Sequence, residues 1–152
     1  MEIWKVKMSE LKIYLAGKMS GLTMEQMNDW RHYLKKQISL KGGYHNIKTI
    51  VINPVDYYNF ENMAHQNEFE VMQFDLNKVK QCDLLIVKAS GLNTSIGTAI
   101  EVYEASKRDI PVLLLDEFNE YSNIHPWLKC CITRIEKSVP LLIDYIENFY
   151  MC

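Results

Sequence analysis

The sequence predicts an α/β domain: a parallel sheet with helices packed on both of its faces. Three observations carry the prediction. Short apolar runs alternate along the chain with longer stretches of helical periodicity. The runs are continuously apolar instead of alternating in and out, the signature of strands covered on both sides. Glycine, proline or a polar cluster punctuates nearly every junction.

Residues 11–16 (LKIYLA) form the first predicted strand, and Gly17 its exit turn. Thr23 followed by Gln26 fits a capping box, and Leu22 with Met27 fits a hydrophobic staple, so a helix should begin near Met24. Met27, Trp30, Leu34 and Ile38 give that helix one apolar face, and Gly42 and Gly43 are expected to stop it. Residues 48–53 (KTIVIN) read as a second strand closed by Pro54. Residues 54–66 are aromatic and polar without clear period, a loop or short turn on the same sheet edge as the Gly17 loop. Phe69, Met72, Leu76 and Val79 place a helix over 67–81. A third strand follows over 83–89, a helix over 98–108 and a fourth strand over 111–115.

The last third is less periodic. It reads as a surface loop over 119–123, a short helix within 125–131 and a brief fifth strand over 132–135. Ser138 is a plausible N-cap for a closing helix, with Pro140 in its first turn. Leu142, Ile143, Ile146, Phe149 and Tyr150 form its apolar face. No repeat, low-complexity tract or linker interrupts this pattern. Residues 11–152 therefore read as one domain, preceded by a short arm over 1–10.

With 152 residues, 48% hydrophobic and 24% charged, the chain has the make-up of a soluble globular domain. A formal net charge of -2 gives no attraction for a nucleic acid polymer. No run is long enough to span a membrane, and the first residues lack the apolar core of a signal peptide, so a cytoplasmic protein is expected. Cys82, Cys130, Cys131 and Cys152 form no C-x-x-C pair, and His32, His45, His65 and His125 no H-x-x-x-H pair. Reduced thiols, no metal and no cofactor are the expectation.

Chemistry concentrates in residues 83–115, where Ser95, Gly97, Thr98 and Glu101 cluster at the junction of loop and helix. Ligands of parallel α/β sheets bind at the carboxyl ends of the strands, which is where such a junction lies. Thr98-x-x-Glu101 has the form of a capping box, which needs no active site. The same helix N-terminus would also stabilise an ionised carboxylate able to attack a sugar carbon. Gly17 is either a plain turn glycine or part of a phosphate-cradling turn, although no G-x-G-x-x-G or Walker pattern is present. Asp75 reads as a solvated helix residue or as the second of two carboxylates dividing nucleophile and proton-donor roles. Tyr14 reads as core, or as a hydroxyl aimed at the strand end.

The segments I-Y-L-A-G, C-D-L-L-I-V and S-x-G-T-A-x-E-V-x-x-A, in this order over most of residues 11–115, resemble the nucleoside 2-deoxyribosyltransferase superfamily. That superfamily includes the 2'-deoxynucleoside 5'-phosphate N-hydrolases. The resemblance implies a flavodoxin-like, Rossmann-like five-stranded parallel sheet and cleavage of an N-glycosidic bond. It implies that Glu101 is the nucleophile that forms a glycosyl ester at C1'. It further implies that Asp75 assists departure of the base, that Tyr14 stands beside the nucleophile, and that the chain is a homodimer or higher homo-oligomer.

Two departures bear on the substrate. Transferases of free nucleosides carry an aspartate six positions before the nucleophile, where this chain has Ser95, as the phosphate-recognising hydrolases do. A carboxylate there would repel a phosphate by roughly 4 kcal/mol per unit-charge pair at an effective dielectric near 20, whereas a serine hydroxyl donates a hydrogen bond. The other departure is the first loop, Gly17-Lys18-Met19-Ser20-Gly21, in place of the hydrolases' arginine- and glycine-rich loop. It is closer to the A-G-P-M-(S/T)-G type of small uncharacterised bacterial and phage-encoded relatives. Lys18 supplies a point charge there but not an arginine fork.

The expectation is an N-glycosidase of 2'-deoxynucleoside 5'-monophosphates. Gly17, Lys18, Met19, Ser20, Ser95, Gly97 and Thr98 would hold substrate and phosphate. Deoxyribosyl transfer between bases shares the first half-reaction and is the alternative. A non-catalytic nucleotide sensor on the same fold is the competing class.

Overall fold

The computed structural model describes residues 9–57 and 61–152. Most of the expected arm, residues 1–8, and part of the expected 54–66 loop, residues 58–60, lie outside them.

Five parallel strands form one sheet: β1 (Glu10–Ala16), β2 (Lys48–Ile52), β3 (Leu84–Lys88), β4 (Val112–Leu115) and β5 (Arg134–Glu136). Their spatial order is β2-β1-β3-β4-β5, which is the doubly wound, flavodoxin-like order. The expected fold class is the one observed. Continuously apolar strands supply both cores at once. Leu11, Ile13, Leu15, Leu84 and Ile86 pack with Leu34 and Ile38 of α1 (Met24–Tyr44) and with Leu142, Ile143 and Ile146 of α5 (Val139–Tyr150). Tyr14, Ala16, Leu85 and Val87 face the other way, toward Val79 of α2 (Glu68–Gln81) and Val102 and Ala105 of α3 (Ile96–Lys107). The apolar face of α5 is thus largely committed to the core, leaving Leu141 and Phe149 exposed.

A short helix α4 (Pro126–Lys129), capped by His125, precedes β5. The exit of β4 is fixed by the fully buried Asp116, which accepts the amides of Glu120 at 2.7 Å and Tyr121 at 3.0 Å and the Lys137 ammonium at 3.1 Å. Burial alone would push this carboxyl up, but those donors hold it below the usual aspartate range.

Three boundaries differ from expectation by two residues or more. The brief fifth strand lies over Arg134–Glu136, two residues later than its expected start. Helix α3 begins at Ile96, because the chain enters it from a 3-10 turn at Leu92–Thr94. Helix α1 starts at the expected Thr23–Gln26 capping box but runs through Gly42 and Gly43 to Tyr44. Gly42 serves packing instead of termination. A Cβ there would stand 2.5 Å from Thr49 Cγ2 and 2.8 Å from the Ile47 carbonyl oxygen, so only glycine lets α1 lie against β2.

That contact separates the two glycines experimentally. Gly42→Ala should destabilise the protein by about 1–3 kcal/mol through overpacking. Gly43→Ala, which meets open space, should stabilise it by about 0.5–1 kcal/mol through helix propensity. Urea denaturation of the two variants measures both, and equal midpoints would contradict the packing role.

Candidate active site

The strand order reverses between β1 and β3, and a cleft of about 750 Å³ opens at the carboxyl edge beside that reversal. Its walls are the first loop (Gly17, Met19, Ser20), the approach to α2 and one face of that helix (His65, Glu68, Phe69, Met72, Asp75), and the start of α3. Thr94, Ser95, Gly97, Thr98 and Glu101 come from the last of these.

Glu101 lies in the second turn of α3, half-buried at the cleft. The alternation along β1 turns Tyr14 toward α2 and α3, and its hydroxyl donates a hydrogen bond to Glu101 Oε2. Tyr14 is fully buried in the core and does not itself line the cleft; its hydroxyl reaches Glu101, which does. Burial pushes the Glu101 carboxyl up to about 7. The Tyr14 hydrogen bond opposes that rise, the negative charge of Asp75 adds to it, and the positive charge of Arg31 opposes it. At neutral pH the group is therefore poised between its two protonation states. Asp75 projects from α2 into the same cleft.

Thr98 is not the cap. Ser95 occupies the N-cap position, Thr98 is the third helical residue and buried, and Glu101 is too far along for a capping box. The Ser95 and Thr98 hydroxyls lie 2.6 Å apart. The first helical hydrogen bond runs from the Ala99 amide to the Ser95 carbonyl at 3.0 Å, so the amides of Ile96, Gly97 and Thr98 precede the ladder. Gly97 has open space where a Cβ would stand. A polar group of a ligand can approach this backbone closely.

Gly17, Met19 and Ser20 line the cleft, but Lys18 does not. Its ammonium donates to Thr94 Oγ1 at 3.1 Å, and its stem lies across Gly91. Lys18 instead borders a smaller hollow of about 310 Å³ with Trp30 and Lys88, while tying the first loop to the turn before α3.

Sequence reasoning missed Arg31. It is fully buried, and it donates to the carbonyls of Leu15 at 3.3 Å, Gly17 at 3.0 Å and Met27 at 2.6 Å. Its signal was visible: Met27, Arg31, Leu34 and Ile38 share one helical stripe, and an arginine within an apolar stripe is a buried cation. His65 and Glu68 were also missed, since nothing in their local sequence distinguishes them from surface residues.

Several solved structures share this fold. A conserved protein from Enterococcus faecalis V583 superposes with a TM-score of 0.72 at 19% identity, covering 91% of this chain and 98% of its own. The 2-deoxyribosyltransferase of Bacillus psychrosaccharolyticus superposes with a TM-score of 0.67 at 19% identity, covering 88% and 91%. The Clostridium botulinum CMP N-glycosidase BcmB superposes with a TM-score of 0.57 at 21% identity, covering 91% and 98%. At these identities the likeness is one of fold. No family model matches the chain, and no curated protein matches its sequence.

The raised Glu101 group has a consequence for stability. Its folded value near 7 lies above its ordinary 4.5, so the folded state holds the proton more tightly. The favourable contribution is complete below about 4.5 and is lost as pH rises through 7. Glu101→Gln, neutral at every pH, should therefore be more stable than the parent at pH 8.5, by on the order of 2 kcal/mol. The difference should shrink as pH falls to 5. Melting curves across that range test it, and a gap independent of pH would contradict the buried carboxylate.

Proposed function

We propose that the protein is a nucleotide N-glycosidase that cleaves the bond between base and deoxyribose of 2'-deoxynucleoside 5'-monophosphates through a covalent ester on Glu101. The single observation that carries this reading is the Tyr14–Glu101 hydrogen bond at the cleft wall, with Asp75 projecting from the opposite helix.

Tyr14 engages one carboxylate oxygen and leaves the other free to attack. That oxygen forms a bond to C1' as the bond from C1' to the base nitrogen breaks, and the base leaves with the bonding pair. A proton delivered from the Asp75 side neutralises it. The negative charge of Asp75 disfavours the ionised form of Glu101, while the Tyr14 hydrogen bond and the Arg31 charge favour it, so the attacking carboxylate forms as pH rises through about 7. Water then attacks C1', passing a proton to the Asp75 side as the bond from C1' to the Glu101 oxygen breaks, which releases the sugar and regenerates the carboxylate. Ser95 and the amides of Gly97 and Thr98 are suited to the 5'-phosphate, since a helix N-terminus and a hydroxyl favour an anion. Lys18 would contribute only a long-range charge and a fixed first loop.

The similarity in fold to a deoxyribosyltransferase and to a CMP N-glycosidase supports glycosidic-bond chemistry on this scaffold. Transfer to a second base is favoured by one observation. Phe69, Met72, Ile96 and Ile100 are exposed apolar side chains on the cleft, a surface on which a base can stack.

A panel of deoxynucleotides, nucleosides and ribonucleotides, followed by chromatography for free base, tests the reading directly. Glu101→Ala should lose at least about a thousandfold in kcat, and a folded variant with full activity removes the nucleophile assignment. Tight nucleotide binding with no base release from any member would favour the sensor. For the parent, kcat/KM should fall about tenfold per pH unit below about 7, as Glu101 takes up its proton. Ser95→Asp should lower the preference for monophosphate over free nucleoside, and an unchanged ratio places the phosphate elsewhere.

A further inference from the structure

We propose that Arg31 is the positioning residue of this site, a buried cation that clamps the exit of β1 and so holds Tyr14 and Glu101 in register. The inference rests on the reading of Glu101 as nucleophile and assigns a role to a residue that touches no substrate.

Arg31 rises from the second turn of α1, on the sheet face opposite the cleft. Its Nε donates to the Leu15 carbonyl and its Nη2 to the Gly17 carbonyl, so one rigid fork grips the chain on both sides of Ala16. Tyr14 immediately precedes the gripped segment, and Gly17 at its far end is part of the cleft wall. The third bond, from Nη1 to the Met27 carbonyl, anchors the fork to its own helix. The guanidinium also lies 4.6 Å from the centre of the Trp30 ring. Gly17 must be glycine for this arrangement, because a Cβ there would stand 2.7 Å from the Trp30 ring and 3.3 Å from Arg31 Nη2.

All three acceptors are neutral carbonyls, so the cation is desolvated without a carboxylate in direct contact. Burial accordingly lowers its affinity for its proton, to a value of about 10, while Glu101 and Tyr14 act in the opposite direction. An apolar side chain of similar volume would normally serve a core at least as well. A positive charge at this place instead acts on the site. The charged and titratable groups facing Glu101 are Tyr14 from β1, Arg31 from α1 and Asp75 from α2, with Glu68 and His65 farther along the same cleft. Asp75 disfavours the attacking carboxylate form and Arg31 favours it. Arginine suits the task because a lysine buried this deeply readily gives up its proton.

The test uses Arg31→Gln and Arg31→Lys in the full chain, with circular dichroism to verify folding. Glu101 is titrated by carboxyl carbon NMR, its resonance assigned by its absence in Glu101→Gln. In Arg31→Gln the Glu101 midpoint should rise by about one pH unit, and the acid limb of kcat/KM should move with it. A midpoint unchanged in a folded Arg31→Gln protein overturns the proposal. If that variant does not fold, Arg31→Lys decides. Loss of the fork should lower its kcat about tenfold with KM changed less than threefold, since no substrate contact is lost. A parental kcat in Arg31→Lys overturns the proposal. Because the NMR titration needs no turnover, it reads Arg31 even if every substrate in the panel fails.

Discussion

An ionisable carboxyl taken out of water must be matched by groups that accept its charge, and around Glu101 each of them comes from a different element. β1 supplies the Tyr14 hydroxyl and α1 the Arg31 charge, while α3 carries Glu101 itself. α2 supplies the opposing Asp75. No pair of these groups is close in sequence. They meet because β1 sits between β2 and β3, with the chain crossing to one face of the sheet after β1 and to the other after β3. The topological reversal is thus more than the place where a cleft happens to open. At this edge of the sheet a cation from one helical layer acts on a carboxylate from the other.

The strand that bridges the layers is under unusual demand. Within β1, Leu15 belongs to the α1 and α5 core and Tyr14 to the α2 and α3 core. A shift of one residue would exchange those faces and turn the hydroxyl away from Glu101. Two flanking parallel ladders and the guanidinium fork all fix that register. Stability and site geometry are served by the same contacts, so a change at the exit of β1 reaches both.

The parts of this arrangement that follow from hydrophobic pattern were legible in the sequence. Strand runs such as DLLIVKA declare burial on both faces, and the Thr23–Gln26 capping box marks the start of α1 to the residue. Glu101, Asp75 and Tyr14 were separate candidates, and the structure brings Glu101 and Asp75 to one cleft with the buried Tyr14 hydroxyl bonded to Glu101. Errors arose where a local signal had two physical meanings. Thr98-x-x-Glu101 matches a capping box, but the 3-10 turn before Ser95 starts the helix two residues earlier than the motif suggests. Gly42 looks like a stop, yet its lack of a side chain answers the closeness of Thr49, a long-range fact with no local trace. Arg31 was overlooked because an arginine is assumed exposed, although its helical stripe said otherwise.

The apolar spacing of α2 shows why that ambiguity matters for function. Phe69 and Met72 repeat at core spacing, but they remain largely exposed, at 62% and 47%, and line the cleft instead of the interior. Such a surface is left uncovered by the rest of the described chain. A flat, apolar ligand face laid against it would remove water from the cleft and complete the desolvation of Glu101. Further desolvation by itself would drive the carboxyl toward its neutral form, the wrong state for attack. The same loss of water, however, strengthens every fixed charge and hydrogen bond already aimed at the group. Tyr14 and Arg31 both act on the group, so their hold on the carboxylate would tighten as water leaves the cleft. On the glycosidase reading, an apolar wall and a buried cation are therefore two halves of one device. The wall makes the nucleophile reactive, and the cation keeps it ionised while that happens.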